Sequence, residues 1–188
     1  MRYQIIHPPI FNDFEKRTRQ EIRSYKDWFI SAIPERLAHL EANVKSTPGY
    51  LGWKADVTPE SLRSLDRWFA SQVQTQKTTR AELEALKAQL TFPVDLPDAR
   101  LTERTVSVAI DIGMYLGEVV LAHVAGTKWE QVLKDKRNAD YGQLVVTGLG
   151  KMPFNPVRVA IVVASKYADG MATGLPEVYS SWTSVSQR

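Results

Sequence analysis

Three polar side chains interrupt the most apolar stretch of the chain. Between Val106 and Val124, the residues Asp111, Tyr115 and Glu118 recur at i, i+4 and i+7, a spacing that places them on one stripe of a helix. A carboxylate buried in such a stripe can act as an acid or base with a raised pKa, or grip a basic group of a ligand. It can equally serve the fold by capping loop amides, accepting from a donor such as Trp129, or pairing with an arginine of an adjacent helix. At 1.5 Å per residue the two acids stand roughly 10.5 Å apart along the axis, too far to share a proton. The structural role is favoured, because single buried acids more often organise packing than react.

The remaining chemistry is sparse. With no cysteine, disulfides, thiol nucleophiles and thiolate metal sites are excluded. His7, His39 and His123 are far apart and lack the paired spacing of a zinc helix. Gly148, Gly150 and Lys151 resemble a phosphate loop only in part, since Val145 stands where its first glycine belongs and Met152 where its Ser or Thr belongs. No Gly-x-Ser-x-Gly elbow occurs. The expectation is therefore no catalytic residue, no cofactor and no metal.

Charge points the same way. Residues 1–100 carry 15 basic and 13 acidic side chains and residues 101–188 carry 9 and 8, for a net charge of +3, so neither half reads as a nucleic-acid tail. Lys16, Arg19, Arg23 and Lys26 form a basic stripe that could track a phosphate backbone. Asp13 and Glu15, four residues before Arg17 and Arg19, explain it as well by a solvated face laced with ion pairs. Nucleic acid is not the expected partner. Of five tryptophans, Trp53 and Trp182 fall in an expected loop and tail and are the candidate exposed anchors for a protein partner.

The elements that must position these groups follow from periodicity. Apolar residues from Phe11 through Phe29 to Val44 recur every three or four positions, predicting one buried helix face that stays in register across Pro34. An edge strand is expected at Arg2–Ile6. Thr58-Pro59 opens a second helix and Thr79-Arg80-Ala81-Glu82 a third. Leu101–Val124 reads as a buried central helix capped by Thr102, carrying Gly113 and Gly117 on its far side for close approach of another helix. Its acids argue against a membrane span. Trp129–Leu133 and Gln143–Thr147 read as a hairpin, and Asn155-Pro156 to Gly170 as a helix despite its β-branched interior. The fold class is α+β and mainly helical, in one domain: a helical layer over 1–92, a connector over 93–100, a helix–hairpin–helix unit over 101–170 and a polar tail over 171–188.

Tyr115-Leu116-Gly117-Glu118, followed by Gly126 and Trp129, resembles a helix-then-hairpin element of several uncharacterised bacterial families, some of which include immunity proteins encoded beside toxins. Thr58-Pro59-Glu60-Ser61-Leu62 with Leu65-Asp66 is similar to the helix preceding that element. The resemblance covers about 30 residues and implies a bacterial cytoplasmic protein that binds another protein; the short, polar-broken N-terminus offers no signal peptide. The expected function is a non-catalytic protein-binding module, in its narrower form a toxin-neutralising immunity protein. The alternative is a small-ligand-binding protein or enzyme built on the Asp111/Tyr115/Glu118 stripe.

Overall fold

A computed structural model describes residues 3–89, 98–171 and 174–185. Among them, six α-helices surround and include one buried rod, with two short antiparallel strand pairs. The rod is α4 (Glu103–His123), entered through Thr102, whose hydroxyl accepts from the Thr105 N–H at 3.2 Å. Its apolar circumference leaves almost no solvated face, so neighbours must cover it on all sides. The cover is supplied by α1 (Arg19–Lys45), α2 (Ser61–Gln72), α5 (Pro156–Ala168) and α6 (Leu175–Val185).

Helix α1 runs unbroken through Pro34, with Ile22, Tyr25, Phe29, Ile33, Leu40 and Val44 buried along one face. It starts later than the periodicity implies. Thr18 belongs to a capping box with Glu21, giving and receiving at 2.8 and 3.2 Å, which satisfies amides the first turn leaves free. Phe14 therefore lies in a preceding 3-10 turn, and Phe11 leaves the buried face altogether, being 52% exposed. Because Asp13 and Glu15 also precede the helix, the expected four-residue pairs do not form; Asp13 meets Lys16 at 3.1 Å and Glu21 meets Arg17 at 4.0 Å.

The expected edge strand is absent at Tyr3–Ile6. That segment is instead strapped across α1 and α4 by side chains. The Gln4 N–H donates to His39 Nε2 at 3.1 Å, and the Ile6 N–H to Ser107 Oγ at 2.8 Å. A strand pair at β1 (Thr75–Lys77) and β2 (Ala99–Leu101) was not expected, its three residues being too few for any period to register. It flanks α3 (Arg80–Gln89). Leu90 and the connector as far as Pro97 lie outside the described residues. The second hairpin matches expectation: β3 (Lys128–Gln131) pairs with β4 (Leu144–Thr147), Trp129 opposite Val146. Helix α5 is opened by Asn155, whose side-chain oxygen accepts from the Arg158 N–H at 3.0 Å, and by Pro156 in the first turn.

The tail is the largest difference. Residues 175–185 form α6, seated by Leu175 with no exposed surface and by Asp66 of α2, which accepts from the Leu175 N–H at 2.8 Å. Leu175, Val178, Tyr179 and Trp182 have the i, i+3, i+4, i+7 spacing of a buried face, outweighed in a reading by composition. Residues 186–188 lie outside the described residues.

Gly113 and Gly117 separate two functions of the rod's far side. A Cβ on Gly113 would sit 2.4 Å from Val157 Cα, so this glycine admits the backbone of α5; one on Gly117 would sit 2.1 Å from Trp129 Cζ2, so this one admits an indole ring. Gly52 by contrast faces open space. Gly113→Ala is expected to destabilise the protein by at least about 1–3 kcal/mol through overpacking against backbone, while Gly52→Ala stays within about 0.5 kcal/mol. Chemical denaturation of the two variants beside the parent checks this, and equal costs would show that α5 can retreat freely.

Candidate functional site

Asp111, Tyr115 and Glu118 share α4 at the expected spacing, but they are not brought together at a cavity. Asp111 has no exposed surface. Its carboxylate accepts from Arg36 of α1 in a two-pronged contact, Nε to Oδ1 at 2.8 Å and Nη2 to Oδ2 at 2.6 Å, and from the Tyr3 hydroxyl. The Arg36 guanidinium also donates to the Gln4 carbonyl at 3.0 Å. Burial pushes the Asp111 carboxyl above the ordinary carboxylate value, and Arg36 and Tyr3 pull against that shift. The forked geometry satisfies both partners at once, and the carboxylate has no exposed surface through which to meet a ligand.

Tyr115 turns its hydroxyl to a loop. It accepts from the Val57 N–H at 3.0 Å and shares a hydrogen bond with Ser61 Oγ at 2.6 Å. Val57 is β-branched yet held at φ +53°, a conformation costing of order 1–3 kcal/mol that persists only when its surroundings impose it. Tyr115 is one of those constraints. Glu118, half-buried, accepts from the Trp129 indole N–H at 2.8 Å. Each stripe residue thus ties a different element to α4.

The expectation of two exposed tryptophan anchors is overturned for Trp53 and weakened for Trp182. Trp53 is 7% exposed, donates to the Ser61 carbonyl at 3.1 Å and meets the Tyr115 ring edge-on at 5.6 Å. The loop containing it folds back onto α2 and α4, burying the indole that loop placement seemed to expose. Trp182 is half-buried because the tail is helical, its ring 4.7 Å from that of Phe154.

The open apolar surface lies elsewhere. Where the N-terminal strap crosses α4 and approaches α5, two adjoining clefts of about 390 and 360 Å³ share the walls Pro8, Phe11, Val106 and Ile110. Phe11 stands half-exposed between them, and Val157 and Ile161 of α5 continue the second wall. Sequence reasoning missed this trough because Phe11 was counted on the face of α1. The usable signal was α5, whose run of Val and Ile exceeds what one buried helix face requires.

Two predictions follow from the polar contacts. Asp111→Asn should cost about 3–5 kcal/mol, because it leaves a buried guanidinium without its counter-charge, whereas Glu118→Gln should cost under about 1 kcal/mol, since an amide oxygen can still accept from a neutral indole; denaturation midpoints read both. The second concerns His39, whose Nε2 must stay unprotonated to accept from Gln4, and which burial and the nearby Arg36 hold below its ordinary value of 6.5, Glu35 opposing. The unfolded chain then takes up this proton first, so the contribution is intact above about 6.5 and lost as pH falls toward the lower folded value. Part of the stability lost between neutral and mildly acidic pH should vanish in His39→Gln, and an unchanged loss in that variant would refute the assignment. Comparison with protein-family models, with curated proteins and with solved structures finds no match to this chain.

Proposed function

We propose that the protein is a non-catalytic protein-binding module whose contact surface is the trough between the N-terminal strap and helices α4 and α5. The observation that carries this is Phe11, a large aromatic side chain 52% exposed between two apolar clefts. An aromatic ring beside apolar hollows offers the kind of centre on which binding energy concentrates in protein interfaces. The stripe of Asp111, Tyr115 and Glu118 is less suited to hold a small ligand or to catalyse. Its polar atoms are spent on Arg36, Tyr3, Val57, Ser61 and Trp129, and they diverge instead of converging on one cavity.

In its narrower form the proposal is a toxin-neutralising immunity protein working in a bacterial cytoplasm. Support for it comes from the Tyr115–Glu118 turn and the Trp129 hairpin, joined as one unit by the Glu118–Trp129 hydrogen bond. The test is titration of the full chain against the purified partner, with survival of cells co-expressing the partner as readout where it is a toxin. Phe11→Glu is expected to weaken the complex about tenfold or more, near 1.4 kcal/mol, and to abolish protection. Undiminished binding by Phe11→Glu would remove the trough as the contact surface, and a turnover lost in a folded Glu118→Gln protein would return function to the stripe.

A further inference from the structure

A third cleft, of about 360 Å³, opens on the other flank of α1, against the loop that joins β3 to β4. Arg19 and Arg23 enter it from successive turns of α1, and Lys136 enters from the loop. Neither arginine has an ion pair or side-chain hydrogen bond among the described residues, and both are exposed. The walls are not a chance approach of two surface chains. Gln131 of β3 donates to the carbonyls of Ile22 at 2.6 Å and Gly142 at 2.9 Å, docking the hairpin on α1. Lys136 donates to the Glu15 carbonyl at 3.1 Å and lies 5.9 Å from the centre of the Tyr141 ring, so its charge is held in place with donors to spare.

The charge balance defines the ligand. Three cations face one acid, Asp135, whose Oδ1 already accepts from the Arg137 N–H at 3.0 Å and Nε at 3.3 Å. Ile22 and Leu133 add an apolar side to the cleft. Two guanidinium forks one turn apart plus a point-charge ammonium match an oxyanion with several equivalent oxygens and more than one negative charge. The volume lies within the range of small-molecule sites. We propose that this cleft binds a phosphorylated small molecule through its phosphate groups, with Arg19 and Arg23 as the forks and Lys136 as the third cation. The shared chemistry is a di-anionic or more highly charged phosphate, carried either on inorganic pyrophosphate or on an organic diphosphate whose carbon part would rest on Ile22 and Leu133.

Isothermal titration of the full chain at about 150 mM salt with pyrophosphate, and separately with a nucleoside diphosphate, tests the proposal and separates the two sources. Saturable binding of at least one probe is expected, tighter for the nucleoside diphosphate if the apolar side is used. Arg19→Gln with Arg23→Gln should weaken it about tenfold or more, as should Lys136→Gln to a lesser degree. Lys26→Gln, on the same helix beyond the cleft, should leave it unchanged. Failure of both probes to saturate would overturn the site. So would an equal loss from Lys26→Gln, which would mean diffuse charge attraction, or displacement of the probe by a single-stranded oligonucleotide in proportion to its phosphates, which would make the surface a nucleic-acid track.

Discussion

A carboxylate without solvent access, in the middle of a buried and mainly apolar helix, has to be answered by its neighbours. Asp111 is answered by Arg36 and Tyr3, and much of the N-terminal half is arranged around that answer. Two desolvated charges gain enough from each other only when their geometry is good and their remaining donors are filled. The fork between Arg36 and Asp111 fixes how α1 lies on α4. The other Nη2 proton fixes the Gln4 carbonyl, and carboxylate Oδ2 fixes the Tyr3 ring. The strap from Tyr3 to Ile10 is thereby positioned by side chains on two helices, with His39 and Ser107 completing it. The apolar trough exists because this strap is held across α4 without filling the space beside Val106 and Ile110.

At its two glycines the rod obeys a steric constraint instead of an electrostatic one. Gly113 lets the backbone of α5 in, and Gly117 lets the Trp129 ring in, where the indole also meets Phe29 edge-on at 5.3 Å and reaches Glu118. Trp129 therefore joins the hairpin, α1 and α4. The Gln131 bonds to the Ile22 and Gly142 carbonyls hold the hairpin on α1 and so set Lys136 opposite Arg19 and Arg23.

The two surfaces proposed for recognition are chemically unlike and lie on opposite flanks of α1. The trough is apolar and suited to burying side chains of a protein. The cleft is basic and suited to phosphate. Because Trp129 and the Asp111 pair both rest on α1, the helix is the common support of the two surfaces.

Periodicity and end signals alone determined the α4 rod, the run of α1 across Pro34, the caps at Thr102 and Asn155, and the β3–β4 hairpin, because these rest on contacts within a few residues of one another or on the alternation of apolar positions. Of the stripe's partners, Trp129 was legible by name and bonds Glu118; the others were legible only as kinds, an arginine and a loop amide. Which arginine was invisible, since Arg36 and Asp111 are 75 residues apart and pair only after two helices have packed. The same holds for the strap, whose backbone hydrogen bonds go to side chains without any strand period, and for Trp53, whose burial follows from a loop folding onto Tyr115. Phe11 became an exposed side chain, and Arg19 with Lys136 became two walls of a cleft, through the placement of the Thr18 cap and the docking of a hairpin more than 100 residues away. Local spacing sets elements, but burial and convergence of side chains are properties of distances across the chain, and those only the tertiary structure decided.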